Sequence, residues 1–183
     1  MELTNAPFND RRCGDCSLCC KLLPVKTMEK GSGERCSAQK PSGGCRIYAS
    51  RPRECRLWSC RWLIGPNTEK LRRPDRVHYI IDPMPDYISI PNNDTIYQMT
   101  VIQVWVDPKY STAHQDTGLR EYLKREADEK GCAALIRYGA RDGFVLMAPM
   151  SEGQDWLELQ GTSEGRDHTA TDVFQHMAMA KAK

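Results

Sequence analysis

The stretch Cys13-Gly14-Asp15-Cys16-Ser17-Leu18-Cys19-Cys20 decides how the first third of this chain has to fold. It spaces three thiols evenly with a fourth directly behind, and Gly14 and Ser17 are small enough for the tight turns between them. Cys36, Cys45, Cys55 and Cys60 follow, so eight of the nine cysteines lie within residues 13–60 and only Cys132 lies beyond. Few aliphatic side chains accompany them. Such a segment cannot bury enough apolar surface to fold unaided, and bound metal is the expected source of its order.

The compartment decides what thiols do. The start lacks the basic and then apolar layout of a signal peptide, and no apolar run approaches the roughly 20 residues of a membrane-spanning helix. The expectation is a cytoplasmic protein with no membrane segment, in which a reducing environment favours metal binding over a disulfide framework. The spacing Cys13-x-x-Cys16-x-x-Cys19 is that of bacterial ferredoxins, and leans towards an iron-sulfur cluster. The ferredoxin run continues with a cysteine four residues after the third, where this chain has Leu23, so any fourth ligand comes from elsewhere. Cys36, Cys45, Cys55 and Cys60 could form a tetrahedral zinc site by themselves, and eight thiolates could equally make two centres. Adjacent Cys19 and Cys20 point in different directions, and serve two centres or divide into a ligand and a packed or reactive thiol. If Arg51 to Trp62 is one helix capped by Ser50, with Pro52 in its first turn, Cys55 and Cys60 face about 140° apart.

Together, Cys13-Gly-Asp-Cys16-Ser-Leu-Cys19-Cys20 and Gly44-Cys45-Arg46-Ile47-Tyr48-Ala-Ser-Arg51-Pro52-Arg-Glu-Cys55-Arg56 resemble the YkgJ-like family of bacterial cysteine-cluster proteins. The resemblance covers roughly residues 10 to 64, and Trp62 and Arg73-Pro74-Asp75-Arg76 are also similar to the segment downstream of the cluster in some members. That family is described as a zinc- or iron-chelating domain, so the resemblance implies a metal and not a reaction. It carries metal-ligand candidacy to Cys13, Cys16, Cys19, Cys20, Cys36, Cys45 and Cys55, and more weakly to Cys60. The flagellin lysine methylase has a related cluster, but nothing else here matches such an enzyme. Tyr48, Arg51 and Arg56 flank the ligands and are candidates to donate hydrogen bonds towards thiolate sulfur.

Charge divides the chain as cysteine does. Residues 1–66 hold twelve Lys and Arg against six Asp and Glu, and the remainder fourteen against eighteen, which recovers the total of +2. A basic segment invites a nucleic-acid reading, but thiolates gathered around metal carry negative charge, and the arginines serve equally as counter-charge.

Beyond a Gly-, Pro- and charge-rich connector, Gly65 to Arg76, the pattern changes. Val77 to Asp82, Tyr87 to Ile90 and Ile96 to Val106 are rich in Ile, Val, Tyr and Thr and read as strands separated by Pro- and Asn-rich turns. From Thr117 the apolar positions Leu119, Tyr122, Leu123 and Ala127 recur at helical spacing. Asp116 or Thr117 caps that helix, Glu121 pairs with Arg125 and Lys124 with Asp128, and Gly131 closes it. Cys132 to Tyr138 and Phe144 to Met150 read as a hairpin around Ala140-Arg141-Asp142-Gly143. After Pro149 the chain turns polar, with a short helix expected from Thr171 to Ala180.

The expected fold is therefore α+β: an irregular, metal-stabilised cysteine module over 10–64, then over 76–150 a small, mostly antiparallel sheet with one main helix, then a polar tail over 151–183. Cys132 reads as a core residue, Trp58 and Trp62 as packing that shields the metal, and His78, His114, His168 and His176 as surface or core histidines at no ligand spacing. Asp82, Asp86, Asp94 and Asp107 sit where turns call for Asp. No phosphate loop, Ser-His-Asp set or paired-carboxylate motif is present. The leading reading is a protein that chelates zinc or an iron-sulfur cluster, with the second domain available to a protein partner. One rival is an iron-sulfur redox or group-transfer enzyme. The other, a zinc-dependent nucleic-acid binder using Arg46, Arg51, Arg53, Arg56 and Arg61, is disfavoured by the scarcity of exposed aromatics.

Overall fold

The computed structural model describes residues 10–92, 94–140 and 142–159. Its helices and curled mixed sheet give the α+β architecture expected from the sequence. The sheet is organised by β3 (Thr95–Val106), a twelve-residue strand long enough for two partners on one edge. β1 (Tyr79–Ile81) pairs its C-terminal end and β2 (Asp86–Asn92) its N-terminal end, both antiparallel. On the other edge β4 (Ala133–Arg137) runs parallel to β3, followed by antiparallel β5 (Gly143–Met147) and β6 (Leu157–Leu159).

The parallel step needs a crossover, because no tight turn can bring a chain back to run in the same direction. It is made by a 3₁₀ stretch, Pro108–Gln115, and by α5 (Thr117–Lys130). α5 begins where Asp116 accepts from the Leu119 backbone N–H at 3.1 Å and ends at Gly131, whose φ of 65° is the left-handed cap that glycine adopts without a Cβ clash. Lys124 and Asp128 pair at 2.5 Å as the sequence predicts, whereas Glu121 turns to Lys70 at 2.6 Å rather than to Arg125.

Strand alternation sends side chains to two faces. On one, Tyr79, Ile81, Val104, Val106, Ala134, Ile136 and Leu146 pack against Leu119, Tyr122 and Leu123 of α5. The opposite face has two apolar clusters. Ile90, Val101, Ala133, Val145, Met147 and Leu159 form one across β2 to β6. Ile80 and Trp105, paired across β1 and β3, form the other with Leu18 and Leu22 of the helical turn α1 (Leu18–Leu22). This second cluster seats the cysteine segment on the sheet.

Several expectations need correction. Residues 74–77 form the short helix α4 (Pro74–Val77), and His78 reverses the chain at φ 62°, so β1 starts at Tyr79 rather than Val77. The sheet does not stop at 150, since β6 adds an edge that three residues, Leu157–Leu159, were too few to announce. Arg51 to Trp62 is not one helix but two turns, α2 (Arg53–Leu57) and α3 (Arg61–Ile64), and Ser50 does not cap either. The break lies where Trp58 adopts extended dihedrals and its Nε1 donates to Asp82 Oδ1 at 2.9 Å, so tertiary packing overrides local helix preference. The helix expected from Thr171 to Ala180, and His168 and His176, lie outside the described residues. No helix among the described residues is long and apolar enough to cross a membrane.

Candidate metal centre

The first turn of the site is local. Cys16 N–H donates to Cys13 O at 2.8 Å, closing the Cys13-x-x-Cys16 loop, and the chain then enters α1 with Leu18 and Leu22 turned into the sheet. One turn of helix carries Cys19 and Cys20 between those anchors, so their placement follows from the burial of two leucines. The next segment is tied back by its backbone: Cys36 N–H donates to Cys20 O at 2.8 Å, and Gln39 and Cys45 form an antiparallel bridge. Gly43, at φ 91°, lies so close to the Asp15 carbonyl that a Cβ there would stand 2.3 Å from the oxygen. Only glycine lets the Cys45 loop press against the Cys13–Cys16 loop. Cys55 sits on α2 and Cys60 precedes α3 as its N-cap residue.

All eight cysteines line one cavity of about 1200 Å³, each partly buried and none in a disulfide. Tyr48, Arg51 and Arg56 line it too. Cys19 and Cys20, adjacent in sequence, have opposite electrostatic characters. The Cys19 thiol donates to the Cys20 sulfur and is buried, which holds Cys19 well above the ordinary thiol range. Accepting that hydrogen bond, with Lys30 and Arg51 nearby outweighing burial, lowers Cys20 to about 7. Burial raises Cys13, Cys16 and Cys55 as well, and Cys60 to about 12. A pocket that penalises bare thiolate keeps these thiols protonated unless positive charge compensates it.

The thiols are electrostatically linked: Cys13 feels Cys20, and Cys19 and Cys20 are hydrogen-bonded to each other. Cys60 is felt by Cys19 and itself feels Cys13 and Cys16, and Cys19 and Cys60 pack against the same cluster of Leu18, Leu22, Ile80 and Trp105. Cys55 feels Cys20 and Cys36, and Cys36 is bonded to the Cys20 backbone.

Of the three flanking residues, Arg51 is best placed: its charge reaches Cys13, Cys20 and Cys55, and its guanidinium lies 3.8 Å over the exposed Tyr48 ring. Arg56 is exposed at the cavity's margin. Sequence reasoning missed Lys30, a buried cation that donates to the carbonyls of Leu23 and Gly31 and lies near Cys20 and Cys36. It also missed the floor, which comes from Ile80, Asp82, Gln103 and Trp105 of β1, β3 and the turn after β1. The strands carrying Ile80 and Trp105 were legible; their pairing, and that this face receives the cysteines, were not.

The segment is pinned to the rest of the chain by polar contacts. Lys21 pairs with the buried Asp107, Arg73 reaches Asp15 at 2.7 Å while gripping Asp75 with two bonds of 2.7 Å, and Arg11 donates to Trp62 O at 2.6 Å and to Thr68 O at 2.8 Å. Trp58 and Trp62 are packed as expected, Trp58 against the α1 cluster and Trp62 beneath the Arg11 guanidinium. Cys132 is buried, its Sγ 3.4 Å from the Glu126 carbonyl, and takes no part in the cavity.

The donor set suits a thiophilic metal: soft sulfur ligands in number, half-buried, with cationic neighbours to balance thiolate charge. Among the described residues, however, no three His, Cys, Asp or Glu side chains converge closely enough to hold an ion as they stand. Comparison of the chain with protein-family models, curated proteins and solved structures finds no match.

Proposed function

We propose that this chain is a metal-binding protein that holds zinc or an iron-sulfur cluster through the thiolates of Cys13, Cys16, Cys19, Cys20, Cys36, Cys45, Cys55 and Cys60. The observation that carries it is that eight thiols spread over residues 13–60 face a single cavity with no disulfide among them. Loops rather than long helices or strands carry most of these cysteines, so a metal can draw the sulfurs to bonding distance without disturbing the sheet. Zinc would cross-link the loops, whereas a cluster would add electron transfer. Arg51 and Lys30 balance the thiolate charge, Tyr48 supports the Arg51 guanidinium, and Arg56 adds positive charge at the margin.

The test is elemental analysis, acid-labile sulfide and an absorption spectrum on protein purified without oxygen. Broad absorbance near ~400 nm with iron and sulfide in matching amounts assigns a cluster. A colourless protein with one or two zinc ions per chain assigns structural zinc. Protein that takes up neither, with its thiols reduced, ends the proposal. If zinc occupies two centres, Cys60→Ser and Cys36→Ser are each expected to remove about one ion of two, and the double variant both. Equal and complete loss in each single variant would point instead to one shared centre.

A further inference from the structure

An apolar sheet face needs a second layer, and one face of this sheet has it only in part. Ile80 and Trp105 are covered by Leu18 and Leu22 of α1. Strand alternation and register carry the same face onward across β2 to β6 as Ile90, Val101, Ala133, Val145, Met147 and Leu159. Each of these six is at most 9% exposed. Among the described residues, however, every apolar side chain packed with them, buried or partly buried, belongs to a strand of the sheet itself. Strand side chains stand roughly perpendicular to the sheet and shield one another only at their flanks, so burial this deep calls for a layer laid over their tips.

The course of the chain points to the cover. Leu159 is the last described residue and a member of the cluster, and residues 160–183 follow it directly. Within them Ala170, Val173, Phe174, Met177 and Ala178 recur at helical spacing, with Asp172, Gln175 and His176 between. A helix of ten residues is about 15 Å long, the width of about four strands. Residues 160–169 reach about 30 Å when extended, enough to cross the cluster in either direction. The other end of the chain is a poorer source. Arg11 bonds to Trp62 and Thr68, neither of which belongs to the cluster, and the residues before it carry no apolar stripe.

We propose that this face is the docking site of the chain's own C-terminal segment, with Val173, Phe174 and Met177 laid across Val101, Val145 and Met147. The face offers hydrocarbon and a thioether and no charge, so its occupant has to be apolar as well. The docked segment stands beside α1 on one side of the sheet, opposite α5, and its docking depends on no bound metal.

The experiment is photocrosslinking of the full-length chain carrying p-benzoylphenylalanine in place of Phe174, with the products mapped by peptide mass spectrometry. Irradiation is expected to join position 174 to peptides of the same chain that hold Met99 or Met147, and moving the probe to Gln175, off the stripe, to lose those products. Phe174→Asp in the full chain is expected to speed amide exchange in β6 about tenfold or more while leaving α5 protected. Products elsewhere in the chain, products between two chains, as a second copy seated on this face would give, or no product at all would each overturn the proposal. Unchanged exchange in Phe174→Asp would overturn it too. Should the probe at 174 prevent folding, the same probe at Met177 takes its place with the same expected partners.

Discussion

At the scale of single residues, the contacts that matter most tie the cysteine segment to the sheet. Asp107 is almost fully buried, accepts from the Lys109 backbone N–H at 3.1 Å and pairs with Lys21, the residue directly after Cys20. Removing the carboxylate leaves the partly buried Lys21 ammonium without this partner and loosens the end of α1. Asp107→Ala is expected to lower stability by about 3 kcal/mol, read from the urea midpoint, and a change under about 0.5 kcal/mol would mean that the pair behaves as an exposed one. Asp116 carries a different load. Burial raises its carboxyl, but hydrogen bonds from Arg72, the Leu119 N–H and Tyr79 outweigh that and hold it below its ordinary value of 3.8. A carboxylate depressed in the folded state contributes stability that is present above 3.8 and lost as the pH falls through the lower folded value. Asp116→Asn should therefore flatten the loss of stability between pH 5 and pH 2, a window on the order of that set by carboxylate titration; an unchanged slope would show that other carboxylates dominate. The sequence marked Asp116 as a cap, but its bonds to Arg72 and Tyr79 come from residues far away in the chain.

At the scale of elements, α5 shows why periodicity reads well and broken helices do not. Its apolar positions face the sheet, Leu119 is fully buried, and both caps are where local chemistry puts them. Leu119→Ala should cost about 2–5 kcal/mol by leaving a cavity. Gly131→Ala should cost about 1 kcal/mol through backbone strain alone, because nothing lies within 4 Å of the added Cβ. A neutral Gly131→Ala, measured by thermal unfolding, would mean that the left-handed cap relaxes. The segment Arg51 to Trp62 could be read as one helix, yet it breaks at Trp58, where the indole reaches Asp82 just past β1. That break separates Cys55 from Cys60 and allows both to line the same cavity. A continuous helix would have turned them apart.

At the scale of the whole molecule, stability is uneven. The sheet and α5 share a broad apolar core, whereas the cysteine segment rests on Leu18, Leu22 and the tethers from Lys21, Arg11 and Arg73. Stripping metal from loaded protein with a chelator under reducing conditions should speed amide exchange at least tenfold across residues 13–60 while leaving β3, β4 and β5 protected. Uniform loss of protection would show one cooperative unit, and no change would show that metal does not order the loops. The sequence by itself determined the density and spacing of thiols, hence the proposal of soft-metal binding, and the strand and helix periods of the second half, hence α+β. Those are properties of neighbours in the chain, and local chemistry carries them. Only the tertiary structure decided that β3 pairs β1 and β2 end to end, that Leu157–Leu159 joins the sheet, and that Trp105, Ile80 and Lys30 complete a cavity begun by the cysteines. These depend on which apolar faces meet, and Leu18 and Leu22 find Ile80 and Trp105 through burial alone, a force with no signature in spacing.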